Sequence, residues 1–113
     1  EPFFARINRG LLIQALFNLV LNARDAVGPV GDICLELHGG AECAEIIVRD
    51  SGSGMDQATI DRIFEPYFST KKLGTGIGLY MSRQIMEQSF GGSLVVRNVD
   101  GGAEFELLTP FIP

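Results

Sequence analysis

Apolar residues along the chain follow two alternating spacings, and each change of spacing falls at a glycine cluster. From Asn8 to Val27, Leu12, Leu16, Leu19, Ala23 and Ala26 recur at steps of four and three, which places them on one face of a helix. Gln14, Asn18, Asn22 and Asp25 gather on another face, and Gly28-Pro29 ends the segment. Beyond it the period shortens to two. Ile33, Leu35 and Leu37 alternate with polar or small residues, Gly39-Gly40 follows, and Ala44, Ile46 and Val48 alternate again, which predicts a β-hairpin. Asp50 to Met55 is a loop, and Asp56 is placed to cap a short helix from Gln57 to Ile63. Phe64 to Gly74 carries Pro66 and several aromatic rings without a clean period, as an anchored loop would. Helical spacing returns from Gly76 to Ser89 through Ile77, Tyr80, Met81, Ile85 and Met86. After Gly91-Gly92, two strand-like runs, Ser93 to Val99 and Ala103 to Thr109, flank Asp100-Gly101-Gly102, a junction suited to a tight hairpin. Three helices and four or more hairpin-paired strands predict an α/β (α+β) two-layer sandwich, its mixed, mostly antiparallel sheet covered on one face by the helices.

The length, 113 residues, suits one domain able to bury a real core. Nine Lys and Arg against fourteen Asp and Glu leave a net charge of −5, which argues against a nucleic-acid groove and its clustered positive charge. No uninterrupted apolar run approaches the roughly 18 residues of a membrane helix. The chain opens Glu1-Pro2-Phe3-Phe4, with no initiator Met and no leader, and is therefore expected to be part of a longer protein. Cys34 and Cys43 show neither Cys-x-x-Cys spacing nor a histidine cluster, so they are expected to be two buried thiols in a reducing cytosol, with a disulfide as the alternative.

Four elements carry candidate chemistry. Asn18 and Asn22 lie one helical turn apart, so their carboxamides project to one side, and a neutral oxygen beside phosphates suits Mg²⁺. Two solvated positions on an amphipathic helix would have the same spacing. Asp50-x-Gly52-x-Gly54 follows a strand. Its carboxylate can accept from an exocyclic amine such as adenine N6 while the glycines admit a flat ring; an ordinary Asp-Gly turn is the alternative. Guanine would present an oxygen to that carboxylate instead. Gly74-Thr75-Gly76-Ile77-Gly78-Leu79 precedes a helix and so frees backbone N–H groups for an anion, although the Lys-Ser/Thr ending of a Walker loop is missing. Phe64-Glu65-Pro66-Tyr67-Phe68-Ser69-Thr70-Lys71 joins the short helix to that cradle; its rings would pin the segment while Lys71 and Lys72 meet phosphate charge, or it is simply a structural aromatic loop.

In this order the four elements resemble the catalytic and ATP-binding domain of bacterial sensor histidine kinases, within the gyrase, Hsp90, histidine kinase and MutL superfamily. Asn18-Leu-Val-Leu-Asn22-Ala is similar to the N box, Asp50-Ser-Gly52-Ser-Gly54 to the G1 box, Ile63-Phe64-Glu65-Pro66-Tyr67-Phe68 to the F box, and Gly74-Thr75-Gly76-Ile77-Gly78-Leu79 to the G2 box. Gly91-Gly92 and Gly102-Ala-Glu-Phe105 resemble the closing strands. Asn22-Ala-Arg-Asp25-Ala26 and the Phe68-Ser-Thr-Lys71 run are most similar to nitrogen-regulation-type and hybrid kinases. Four motifs in register are far more specific than any one of them.

The resemblance implies a Bergerat-type ATP-binding fold spanning residues 1–113 as one catalytic domain of a longer kinase. It implies ATP and Mg²⁺ as cofactors, with Asn22 on the metal and Asn18 on metal or phosphates. It further implies Asp50 on the adenine amine, Gly52 and Gly54 around the ring, and Gly74, Thr75, Gly76, Gly78 and Leu79 at the triphosphate under a lid from about Phe68 to Thr75. Family members often carry a basic residue where Asp25 stands, so Arg24 or Lys71 is expected to meet the phosphates instead. The acceptor histidine of such kinases sits on a separate dimerising hairpin. His38, the only histidine here, falls inside a strand-like run and reads as a partly exposed strand residue. The implied function is γ-phosphate donation to that separate domain in two-component signal transduction, with a response regulator downstream. The parent would be a cytoplasmic or membrane-attached homodimer, and this chain alone a monomer that binds no nucleic acid. The competing readings are a degenerate ATP-holding module that relays conformation, and the serine-kinase or ATPase branches of the superfamily.

Overall fold

The computed structural model describes residues 7–68, 77–99 and 102–110. The first helix, α1 (Arg9–Val27), starts where Asn8 accepts the Leu11 N–H at 3.1 Å and stops at Gly28, whose φ of 69° turns the chain out. A hairpin follows, β1 (Ile33–Gly39) and β2 (Cys43–Asp50), then a short helix, α2 (Gln57–Arg62). Asp56 caps α2 by accepting the Thr59 N–H at 2.8 Å; the Thr59 side chain and then this N–H, both hydrogen-bonded to it, hold the Asp56 carboxyl below the usual carboxylate range. Next come α3 (Gly78–Gln84), a π-helical turn (Ile85–Ser89), β3 (Ser93–Val99) and β4 (Gly102–Pro110).

The strands form one sheet in the order β1-β2-β4-β3, and every neighbouring pair is antiparallel. The sheet, expected to be mostly antiparallel, is antiparallel throughout the described residues. Alternation sorts the side chains. Val48, Leu94, Phe105 and Leu107 face the helices and are fully buried against Ala15, Leu19 and Ala23 of α1 and Ile85, Met86 and Phe90 beyond α3. The covering layer is α1 with α3 and its π-turn. Helix α2 buries none of its own residues and is attached through Ile63 and Phe64, whose ring meets Phe105 edge-on at 6.1 Å.

Three local expectations are corrected. Ala26 continues the apolar spacing of α1 but is exposed, while Ala15, outside that stripe, is fully buried because α3 packs on its side of the helix. The expected single helix from Gly76 to Ser89 changes at Ile85, whose N–H is shared between the Met81 and Ser82 carbonyls. The widened turn lets Ile85, Met86 and Phe90 all enter the core. Cys34 is exposed and Cys43 half-buried, since neither falls on the helix-covered face of the sheet, and both are free thiols.

Candidate functional site

Asn18, Asn22 and Ala26 follow one another at single-turn intervals on one ridge of α1. At the first, the Asn18 amide donates to the Gly78 carbonyl at 3.2 Å. A Cβ on Gly78 would lie 3.4 Å from Asn18 Cγ, so the opening turn of α3 rests on this side chain. Ser82 reinforces the contact by donating its buried hydroxyl to the Ala15 carbonyl at 3.0 Å. At the third, a Cβ on Gly52 would come within 2.7 Å of the Ala26 carbonyl oxygen, so the Asp50–Met55 loop lies directly on the helix there. Asn22 sits between the two walls, half-buried, and among the described residues its carboxamide has no hydrogen-bond partner.

Asp50 ends β2 on the helix-facing side of the sheet and is 4% exposed. Its Oδ1 accepts the Gly52 N–H at 2.9 Å and the Ala103 N–H at 3.3 Å. Among the described residues no cationic side chain pairs with it. The loop beyond is tied to the chain before β1, where Asp32 and Ser51 exchange hydrogen bonds of 2.8 and 3.0 Å. Gly54 turns it with a φ of 79°, in the left-handed region.

Of the sequence-predicted site residues, Asn18 and Asn22 therefore lie on the α1 ridge, Gly78 packs on Asn18 with the half-buried Leu79 next to it in the first turn of α3, and Asp50, Gly52 and Gly54 belong to the loop that meets the ridge at Ala26. Lys71, Gly74, Thr75 and Gly76, and most of the expected lid, lie outside the described residues. Arg24 does not fit its expected role. It stands two residues from Asn22, roughly 200° round the helix, and its exposed guanidinium meets Asp25 at 3.4 Å. His38 is exposed on β1 and contacts Glu36 at 2.8 Å.

Residues 7–113 match the family model described as histidine kinase-, DNA gyrase B- and HSP90-like ATPase. The chain belongs to this family. Sensor histidine kinase ZraS of Salmonella typhimurium is 43% identical over 103 residues, covering 89% of this chain and 22% of ZraS. The chain thus spans about a fifth of the length of that relative. The catalytic domain of histidine kinase ThkA, solved free of nucleotide, superposes with a TM-score of 0.88 at 33% identity over 96% of this chain and 73% of that one. A structure of ThkA in complex with the response regulator protein TrrA superposes with a TM-score of 0.83 at 29% identity, over 96% of this chain and 31% of that one.

The donor set fits what this ATPase family holds. A buried carboxylate supplied only with backbone N–H groups is ready to accept from a ligand amine, and a half-buried, unpartnered carboxamide offers a neutral oxygen of the kind Mg²⁺ accepts. Among the described residues there is no cluster of three His, Cys, Asp or Glu that could hold a metal, and no helix is long and apolar enough to cross a membrane. A metal at the ATPase site would depend on nucleotide phosphates for the rest of its shell.

Asn98 beside the loop, and an ion-pair row on the opposite face of the sheet, could not be read from spacing because strand register brings each together. Asn98 on β3 accepts the Met55 N–H at 2.8 Å and donates to the Met55 carbonyl. On the open face of the sheet Arg49, Glu104 and Arg97 stand opposite one another on β2, β4 and β3. Arg49 donates to Glu104 Oε1 at 2.7 and 2.9 Å, Arg97 donates to Oε2 at 2.6 Å, and Glu36 extends the row by accepting from Arg49 at 3.1 Å. Burial pushes the Glu104 carboxyl up, but hydrogen bonds from Arg49 and Arg97 outweigh it and hold it below the usual range. Glu36 is lowered by His38 and then Arg49, and Arg49 is raised by Glu104 and then Glu36. Alternating charge on adjacent strands was the one signal available beforehand. In the F-box segment, Arg83 stacks over Phe64 at 5.0 Å and Arg62 over Phe68 at 4.7 Å, fixing the aromatic anchors.

Proposed function

We propose that residues 1–113 form the ATP-binding catalytic domain of a longer sensor histidine kinase, which binds Mg-ATP and donates its γ-phosphate to a histidine on a separate dimerisation domain. The observation that carries this reading is the α1 ridge, where Asn22 lies between the opening turn of α3 at Asn18 and the Asp50–Met55 loop at Ala26. A purine against Asp50 would direct its phosphates along that ridge towards the α3 N-terminus.

The chain's residues divide the work by position. Asp50 accepts the adenine 6-amino hydrogen, and Gly52 and Gly54 leave the ring room. Asn22 holds the metal through its carboxamide oxygen; Asn18, its amide committed to Gly78, keeps its own oxygen for metal or phosphate. Gly74, Thr75, Gly76, Gly78 and Leu79 cradle the triphosphate through backbone N–H groups, and Lys71 brings positive charge. Mg²⁺, when bound, supplies the charge that steadies the oxygens of the transferring group. In the transfer the γ-phosphorus–oxygen bond to ADP breaks as a bond to the acceptor imidazole nitrogen forms, so the domain's task is placement and electrostatics. The acceptor hairpin would also make the parent a homodimer, while this chain alone is a monomer. The ThkA–TrrA complex supports a response regulator downstream. The domain itself would be cytoplasmic, whether or not its parent is anchored to a membrane.

Mixing the chain with a histidine-bearing helical domain and γ-labelled ATP tests the reading. It predicts an acid-labile phosphohistidine on the partner. Intact ATP binding without transfer would instead favour a degenerate relay module, and partner-free hydrolysis would favour an ATPase.

A further inference from the structure

The Asp50–Met55 loop is held from two sides, and only one hold lies in its own stretch of sequence. At its start the Gly52 N–H returns to Asp50 Oδ1 at 2.9 Å and the Ser51 N–H reaches the Asp32 carbonyl at 3.0 Å. At its far end the hold comes from β3. Asn98 Oδ1 accepts the Met55 N–H at 2.8 Å, and Asn98 Nδ2 donates to the Met55 carbonyl. One carboxamide thereby satisfies both backbone groups of one loop residue, as a neighbouring strand would. It also occupies space the loop leaves vacant: a Cβ on Gly54 would lie 2.8 Å from Asn98 Oδ1. Asn98 pairs in register with Ala103, whose own N–H donates to Asp50 Oδ1 at 3.3 Å. The end of the β3–β4 pair therefore grips the loop at both the carboxylate and the glycine turn.

We infer that Asn98 is a positioning residue of the nucleotide site, fixing the Gly54–Met55 conformation on which the purine pocket depends; this rests on the nucleotide reading above. Its chemistry is polar and directional. The position needs an acceptor towards the Met55 N–H and a donor towards the Met55 carbonyl. Aspartate is the same shape but, when ionised, sets a second acceptor against that carbonyl; protonated, it restores the donor.

ADP affinity of the 113-residue chain, measured by calorimetry for the parent sequence, Asn98→Ala and Asn98→Asp between pH 8 and pH 4.5, tests this. Asn98→Ala should bind about ten-fold more weakly, the scale of one to two hydrogen bonds. Asn98→Asp should be at least as weak at pH 8 and should recover relative to Asn98→Ala as its carboxyl takes up a proton. That carboxyl should titrate above its ordinary value of about 3.9, because its ionised form faces a carbonyl. Asp50, the titratable group at the other end of the loop, is present in all three proteins and cancels in the comparison. Lost stability alone would lower the melting temperature of both variants without separating their affinities by pH. Parent-like affinity in Asn98→Ala, or Asn98→Asp tracking Asn98→Ala at every pH, would overturn the inference. If Asn98→Ala fails to fold, Asn98→Ser supplies the reference. Failure of the unsubstituted chain to bind ADP would instead overturn the nucleotide reading itself.

Discussion

Asp50 and Glu104 are two carboxylates on adjacent strands with nearly the same burial, 4% and 2% exposed, yet they are partnered in opposite ways. Glu104 faces the open side of the sheet and takes guanidinium groups on both oxygens, from Arg49 on one neighbouring strand and Arg97 on the other. Asp50 follows Arg49 directly, so it points to the opposite, helix-covered side, where its donors are two backbone N–H groups. A carboxylate saturated by charge locks three strands in register. A carboxylate given only neutral backbone donors keeps capacity for a further partner. On the proposed reading, the two faces of one sheet would thus separate holding the fold from holding a ligand.

Substitutions should separate these roles. The largest effect on binding is expected from Asp50→Asn, which keeps an acceptor for Gly52 but loses the anion proposed to meet the adenine amine. Nucleotide affinity should fall roughly thirty-fold, about 2 kcal/mol, in a fluorescent-nucleotide titration, with little change in melting temperature. Unchanged affinity would remove Asp50 from the site. Glu104→Ala should do the reverse, lowering urea-unfolding stability by about 2 kcal/mol while leaving affinity within a few-fold. If it abolished binding in fully folded protein, the two carboxylates would not be separable.

Acid gives a smaller, graded version of the same contrast. The folded-state pKa of Glu104 lies below its unfolded value, so its contribution is complete above the usual carboxylate range and is lost as pH falls through the lowered value. Between those limits the unfolded chain binds the extra proton. Glu104→Gln should therefore flatten the acid side of the stability–pH curve measured by chemical unfolding. The smallest expected effects divide the two asparagines. Asn18→Ala should cost about 1 kcal/mol of stability by releasing Gly78, whereas Asn22→Ala should leave stability alone and reduce the Mg²⁺ dependence of ATP binding in calorimetry.

Much of this arrangement was legible in the sequence where one short segment decides the outcome. Leu19 and Ala23 on one stripe, Asp56 as a cap, and the alternation of β1 to β4 each depend on neighbours within a few residues. Ala26 was misassigned and Ala15 missed because helical spacing cannot say which side of α1 receives α3 and which receives the Gly52 loop. Asn98, Arg49, Arg97 and Glu104 were invisible as a group for a similar reason. Their partners are 7 to 55 residues away and meet only once β3 and β4 are in register. The Asn–Asn and Asp–Gly–Gly spacings were legible because each lies within one continuous stretch, α1 or the loop after β2, and those two stretches meet where Gly52 packs on Ala26.

The most direct test of the account is calorimetric titration of the unsubstituted chain with ATP and, separately, with GTP, both with Mg²⁺. Adenine would present an amine to Asp50, whereas guanine would present a carbonyl oxygen facing the carboxylate acceptor to acceptor. The account predicts saturable ATP binding and GTP binding weaker by at least about a hundred-fold. Equal affinity for the two nucleotides, or no binding of ATP, would contradict it.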